Sequence, residues 1–362
     1  ATMSKYWNDR VNALTPYVPG EQTRDARLLK LNTNESPYDT SPLVLKEIGL
    51  ATDGGLSLYP DPTAFRLRES IGEFYSLETE QIFVGNGSDE VLAHIFGSLF
   101  GNTGVVLSPE ITYGFYPIYC RYFGLEYRSV KLLDDFSIDV RFFSTRKDDI
   151  GGIIIANPNA ATGIALGLDD IRQLLEANPD IVVVIDEAYV DFGAESSVTL
   201  LSEYSNLLVV QTCSKSRGLA GMRIGLALGA VGLIEALIRM KDSFNSYPLD
   251  KLAQVGAAAA FADISYFDET RNKIIATREK FSLEIRRVGY EVIPSMANFL
   301  LVRHPAIEGA DFYHQLKSRG VLVRHLSDER LSPYIRISIG TGTQMDHVVE
   351  VFRDLISQLN DE

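Results

Sequence analysis

The strongest constraint on the fold is a series of short runs that are apolar nearly from end to end, at 82–84, 105–107, 152–156, 181–185, 207–211 and 224–228. A strand with one wet face alternates polar and apolar residues. The run Ile181-Val182-Val183-Val184-Ile185 does not alternate, so both of its faces must be covered. Segments with helical spacing lie between several of these runs, for example at 91–100 and 168–177. Short strands covered on both sides and alternating with helices predict an α/β sheet. Helical spacing also marks 65–75, whereas the first forty residues, rich in Pro, Asn and Thr, read as an irregular arm.

Past Ala230 the character changes. Helices are expected at 233–241, 249–261 and 266–287, followed by strand-like pieces at 299–303, 321–324 and 334–339. A long helix leading into a small mixed region predicts a second domain. A length of 362 residues favours the same division, because single cores stop growing near this size. The expected boundaries are an arm over 1–40, a large domain over 41–262 and a small C-terminal domain over 263–362. Ala1 and Thr2, ahead of Met3, stand outside this reading.

Composition limits the partners. A net charge of -14 leaves no basic stripe to neutralise phosphates, so no nucleic-acid partner is expected. No apolar run reaches about 18 residues, the length a membrane helix needs, and no signal-peptide core begins the chain. Cys120 and Cys213 are the two cysteines, too few for a disulfide framework and in keeping with a reducing cytoplasm. No metal site is expected.

The segment Thr212-Cys213-Ser214-Lys215-Ser216-Arg217-Gly218-Leu219-Ala220-Gly221-Met222-Arg223 follows one of the strand runs. A lysine amine forms Schiff bases with carbonyl compounds once nearby cations or desolvation lower its pKa. Ser214 and Arg223 suit a phosphate, by hydroxyl donation and guanidinium fork geometry. That pairing is what pyridoxal phosphate asks of a protein. A surface Lys/Arg loop in a Gly-rich turn fits the segment equally well.

Asp186 ends the apolar run 181–185, at the strand end where open α/β sheets place their ligands. A buried carboxylate there needs a cation. A protonated pyridine nitrogen would serve, with Tyr189 placed to hydrogen-bond the phenolic oxygen of the same ring. An aspartate that caps a turn, or holds Mg²⁺ beside a nucleotide, is the alternative; no P-loop motif supports the nucleotide. Gly85-Asn86-Gly87-Ser88-Asp89-Glu90 joins a strand to a helix and offers free N–H groups to an anion. Ser88 or Asp89 is also a good N-cap. Glu90 stands where a dinucleotide fingerprint needs glycine. Tyr113 suits stacking on a planar ring or plain packing. Arg324 and Arg336, on late strands, suit a carboxylate or phosphate clamp, or face solvent.

Taken in order, Asn32-Thr33-Asn34-Glu35-Ser36-Pro37, Tyr59-Pro60-Asp61, Asp186-Glu187-Ala188-Tyr189 and the lysine segment resemble the motifs of the fold type I pyridoxal-phosphate aminotransferases of class I/II. The resemblance runs from 14 to 341 and is greatest to the histidinol-phosphate aminotransferases, enzymes of histidine biosynthesis. It implies a large domain with a mainly parallel seven-stranded sheet between helices, and a smaller α/β C-terminal domain. It implies pyridoxal 5′-phosphate as cofactor, and amino transfer between histidinol phosphate or imidazole acetol phosphate and glutamate or 2-oxoglutarate. Lys215 would carry the cofactor and shuttle a proton, Asp186 pair with the pyridine nitrogen, and Tyr189 meet the phenolic oxygen. Tyr113 would stack on the ring, while Ser88, Asp89, Thr212, Ser214 and Arg223 would surround the cofactor. Tyr59 would reach the phosphate from a partner subunit, which implies a homodimer. Arg336 would hold an α-carboxylate or the substrate phosphate, aided by Arg324, Tyr17 and Asn34.

Two positions depart from the family pattern. Where the family reads Asn-Asn-Pro-Thr-Gly, this chain reads Asn159-Ala160-Ala161-Thr162-Gly163. The asparagine that meets the cofactor oxygen is thus alanine, and Asn159 is expected to take over after a small backbone shift. Arg217 stands where the family is more often apolar and is read as exposed. Aromatic amino-acid transamination and a threonine-phosphate decarboxylase-like lyase reaction use the same lysine and electron sink. Tyr17-Val18-Pro19-Gly20 and Asn34-Glu35 favour histidinol phosphate.

Overall fold

The computed structural model describes residues 4–361 apart from 24, 102 and 103, so Ala1 and Thr2 lie outside the described residues. Seven strands form one sheet in the order Ile82–Asn86, Ile224–Gly229, Leu207–Thr212, Val183–Asp186, Ile150–Ala156, Val105–Pro109, Tyr127–Val130. Ile224–Gly229 runs antiparallel to both neighbours, and every other adjacent pair is parallel. Both faces are covered, as the apolar runs require. Ile153, Ile155, Val183, Ile185 and Val209 belong to one buried cluster, while the alternate residues Ile154, Val184, Leu208 and Val210 belong to another. Tyr127–Val130, which has no apolar run to announce it, adds the edge strand that sequence reading missed.

A second sheet holds four antiparallel strands in the order Arg324–His325, Ile335–Ser338, Phe299–Arg303, Glu291–Val292. Helices Ile264–Arg287, Gly309–Ser318 and Gly342–Asp361 accompany it, and Ile274, Phe281, Phe312 and Phe352 pack with Leu300, Val302, Ile335 and Ile337 in its core. The stretch 321–324, expected as one strand, is divided. Val321–Leu322 pairs with Leu29–Lys30 of the N-terminal segment, while Arg324–His325 pairs with Ile335–Ser338. Among the described residues, no helix is long and apolar enough to cross a membrane.

This architecture fixes where chemistry can gather. Parallel strands Ile150–Ala156, Val183–Asp186 and Leu207–Thr212 end together, and the helix Gly87–Ser98 starts beside them. Gly225 allows that approach: a Cβ there would lie 2.3 Å from the Ser88 nitrogen, a distance no side chain tolerates.

Candidate active site

Asp186 arrives at the sheet's C-terminal edge 5% exposed. Its Oδ2 accepts a hydrogen bond from the fully buried Tyr116 hydroxyl at 2.6 Å. Its Oδ1 is buried and has no hydrogen-bond partner among the described residues. Burial pushes the carboxyl up to about 6, with Tyr116 and the nearby Ala188 N–H pulling back. An orphaned carboxylate oxygen at a strand end is a place for a cationic N–H.

Lys215 leaves the strand Leu207–Thr212 by a tight turn, in which Ser214 N donates to Thr212 Oγ1 at 3.1 Å and Gly218 N to Lys215 O at 3.3 Å. Its amine donates to the Thr33 carbonyl at 3.2 Å and sits 5.7 Å from the Tyr189 ring centre. Ser88, Asp89, Tyr113, Ala160, Asp186, Tyr189, Thr212, Ser214, Lys215 and Arg223 all line one cavity of about 130 Å³. The sequence-predicted cofactor residues are therefore brought together, save Asn159 and Tyr59.

An anion seat closes one end. No side chain caps the N-terminus of Gly87–Ser98, so its first N–H groups, at Ser88 and Asp89 on the cavity wall, stay available. Neither residue serves as the N-cap, a position held by Asn86. Arg223, in the left-handed region at φ 57°, directs its guanidinium to within 3.4 Å of Ser214 Oγ and 3.5 Å of Asp89 Oδ2. Asp89 also accepts from the Tyr113 hydroxyl at 2.7 Å, whose own pKa burial drives far up.

An adjoining cavity of about 560 Å³ is lined by Tyr17, Asn34, Tyr113, Lys215, Arg324 and Arg336 among others. Arg324 and Arg336 are register partners on antiparallel strands, which puts two like charges on one face, a destabilising arrangement without an anion. Arg336 donates from Nη2 to Asn32 O at 3.0 Å, but its Nε is buried and unpartnered. Burial, reinforced by Arg324, lowers its pKa. Tyr17 stacks on Phe115 at 4.4 Å and stands 6.3 Å from Tyr113.

At two positions the geometry differs from the sequence reading, and at two more it fixes the residue's surroundings. Asn159 does not line the cavity: its Nδ2 donates to Ile111 O at 2.7 Å and its Oδ1 accepts from Ala160 N at 3.0 Å, while Ala160 is on the cavity wall. Arg217 is not exposed. It is 8% exposed, stacked on Phe261, Phe267 and Phe74 at 3.7, 4.2 and 4.7 Å, with Nη1 donating to Ala260 O. Three π faces hold the cation where a carboxylate was not supplied. Asn34 reaches the cavity, but its carboxamide is engaged by Tyr189 and Ser338. Tyr59 lies outside this chain's cavity, 81% exposed and stacked on Tyr247 at 4.6 Å. Sequence reasoning missed Tyr116, whose only local signal is its place three residues past Tyr113.

Comparison with known proteins gives a consistent result. Residues 26–352 match the family model described as aminotransferase class I and II. The chain is 52% identical to histidinol-phosphate aminotransferase 2 of Gluconobacter oxydans over 98% of this chain and 99% of that protein. It is 49% identical to histidinol-phosphate aminotransferase of Pseudomonas syringae pv. syringae, over 98% of this chain and all of that one. Among solved structures, histidinol-phosphate aminotransferase of Sinorhizobium meliloti in complex with pyridoxal-5′-phosphate superposes with a TM-score of 0.85 at 22% identity, covering 99% of each chain.

Proposed function

The chain belongs to the class I and II aminotransferases, and on that premise we propose that it moves an amino group between histidinol phosphate and 2-oxoglutarate, using pyridoxal 5′-phosphate. The observation that carries the reading is the orphaned Oδ1 of Asp186, a residue that lines the same cavity as Lys215, Ser214 and Arg223. Relatives of that name, about half identical over nearly their whole length, support the substrate. The histidine pathway and the cytoplasm are the setting this implies.

The residues present fit such a cofactor at each of its ends. The free oxygen of Asp186 suits a protonated ring nitrogen, the uncapped N–H groups of Ser88 and Asp89 with Ser214 and Arg223 suit a phosphate, and Lys215 suits the carbonyl carbon. When bound, the cofactor supplies an electron sink for the bonds at the substrate's Cα. The protein's own groups do the rest. Asp186, ionised at neutral pH, keeps the ring nitrogen protonated. Tyr189 Oη would donate to the phenolic oxygen, and Tyr113, on the same cavity wall, would pack against the ring. Lys215 Nζ would take the proton from the amino donor's carbon in one half-reaction and deliver one to the oxo acid's carbon in the other. Arg324 and Arg336 hold the substrate phosphate in one half-reaction and a carboxylate of glutamate or 2-oxoglutarate in the other, since guanidinium forks serve both.

Leu56, Leu58, Tyr59, Phe244 and Tyr247 are exposed by 59, 73, 81, 78 and 42%, a density of apolar surface that marks an association site. A homodimer that covers it, with Tyr59 lent to the partner's phosphate seat, completes the reading. So does the division into an arm over 1–40, a large domain over 41–262 and a small domain over 263–362.

Borohydride reduction of the purified protein is expected to fix the cofactor on Lys215, read by peptide mass. Lys215→Ala is expected to lose turnover altogether, and wild-type turnover by that variant would refute the mechanism. Histidinol phosphate, phenylalanine and threonine phosphate, each offered in a single half-reaction, test the substrate. Bleaching of the bound cofactor by histidinol phosphate is expected; bleaching by phenylalanine alone would assign an aromatic aminotransferase. Loss of CO₂ from threonine phosphate would assign a lyase.

A further inference from the structure

We infer that Asn34 is a positioning residue that fixes the Tyr189 hydroxyl as a hydrogen-bond donor into the cavity and ties that donor to the small sheet through Ser338. The inference rests on the cofactor reading above and deepens it. Its argument is a count of protons.

Asn34 is 1% exposed and holds the left-handed region at φ 56°, a conformation asparagine tolerates better than most residues. Ser338, at the end of Ile335–Ser338, accepts from the Asn34 backbone N–H at 2.9 Å. A serine hydroxyl has a single proton, and Ser338 gives it to Asn34 Oδ1 at 2.8 Å. In that contact the carboxamide oxygen is placed on the Ser338 side. Nδ2 is left facing Tyr189 Oη at 3.1 Å. An amide NH₂ only donates, so Tyr189 must accept from it, and the phenol's own proton turns towards the cavity that Tyr189 lines. Asn298 Nδ2 donates to Asn34 O at 3.0 Å and clamps the same residue from the small sheet's side.

The surroundings give this arrangement its weight. Ala160 lines both cavities and offers only a methyl group, while the neighbouring Asn159 amide is committed to Ile111 O. Tyr189 would therefore meet the phenolic oxygen with no second donor from position 159 or 160. Asn34 is 304 residues from Ser338 and 155 from Tyr189, so the donor's orientation depends on how the N-terminal segment and the small sheet sit together. A shift of that sheet would reach the cofactor through one hydroxyl.

The test is an absorbance titration of the cofactor-loaded protein without substrate, which needs no turnover. A donor to the phenolic oxygen stabilises negative charge there and weakens its hold on the proton shared with the neighbouring nitrogen. Losing the donor therefore raises the midpoint. Tyr189→Phe is expected to raise it by about one pH unit or more, the equivalent of a hydrogen bond to a charged group. Asn34→Gly, chosen because glycine accepts a positive φ, is expected to raise it by a smaller amount in the same direction. Ser338→Ala, which leaves Asn34 in place but frees its carboxamide to flip, is expected to do likewise. The double variant Asn34→Gly/Tyr189→Phe should shift no further than Tyr189→Phe alone, because Asn34 acts only through that hydroxyl. Wild-type midpoints in both Asn34→Gly and Ser338→Ala, or additive shifts in the double variant, would overturn the inference alone. A wild-type protein that takes up no cofactor at Lys215 would remove the cofactor reading and this inference with it.

Discussion

Asp186 and Glu187 stand side by side where the strand Val183–Asp186 ends, 5% and 1% exposed, and burial pushes their carboxyls up to about 6 and about 7. What their oxygens meet is different. Glu187 Oε1 accepts from Ser197 N at 2.5 Å, and Oε2 from Ser196 Oγ at 2.7 Å and Gln211 Nε2 at 3.0 Å. Asp186 has Tyr116 on one oxygen and no partner on the other. A raised pKa is common to both and so does not separate a working group from a structural one. The unsatisfied oxygen does, because leaving a buried acceptor unpaired costs stability that a ligand can return.

The largest difference should come from removing the charge at Asp186. Asp186→Asn keeps the shape and the Tyr116 contact but cannot hold a ring nitrogen protonated, and kcat/KM is expected to fall by about 10²–10³, the usual worth of a preorganised electrostatic contact. Stability of the cofactor-free protein should move the other way. A folded-state pKa above the unfolded value of 3.8 means that the wild-type penalty is absent well below pH 3.8 and grows as pH rises to about 6. The variant should therefore melt higher at pH 7.5, by the equivalent of about 2–3 kcal/mol, and lose most of that advantage by pH 4. Unchanged kcat/KM would erase the distinction between the two acids.

Much of this contrast was within reach of the sequence, and its boundary is physical. Asp186 and Lys215 were legible because each follows an apolar strand, and strand ends are where such sheets put ligands. The family motifs then gave each a role. Tyr116, Ser338 and Gln211 were not legible: they act through hydrogen bonds spanning 70, 304 and 24 residues, and no periodicity records such partners. Arg217 misled for the same reason, since Phe74, Phe261 and Phe267, which hold it, are remote in sequence. At Asn159 the substitution of Ala160 was visible, but the carbonyl of Ile111 that captures the asparagine amide was not.

Tyr116→Phe tests the satisfied side of Asp186. Removing the hydroxyl takes away a donor that favours the ionised carboxyl, so its pKa should rise further. Cofactor affinity, measured by equilibrium dialysis across pH, is expected to fall about tenfold at neutral pH, the worth of one hydrogen bond to a charged group. The loss should deepen as pH drops, because the carboxyl protonates sooner. A uniform loss at every pH would show that Tyr116 only fills space.

The smallest effect on catalysis should come from Glu187→Gln, and the reason lies in the network around it. The new amide can point its NH₂ where Oε2 stood. Ser196 Oγ can then turn to accept, and Gln211 can flip its own amide, because Tyr75, whose hydroxyl now donates to Gln211 Oε1 at 2.5 Å, can accept instead. The amide groups are paired again, only the Ser196 and Tyr75 hydroxyl protons lose their acceptors, and the Asp186 and Lys215 contacts are untouched, so kcat/KM should stay within about threefold, as for a change remote from the transition state. The stability profile should still change. Burial holds the wild-type carboxyl above its unfolded value of 4.5, so its contribution is full below pH 4.5 and is lost as pH rises through about 7. Thermal melts of the cofactor-free variant should lack that decline and match or exceed wild type at pH 7.5. A variant that melts far lower at pH 7.5, or that loses turnover as Asp186→Asn does, would show that the charge on Glu187 is used, and the two neighbours would no longer differ in kind.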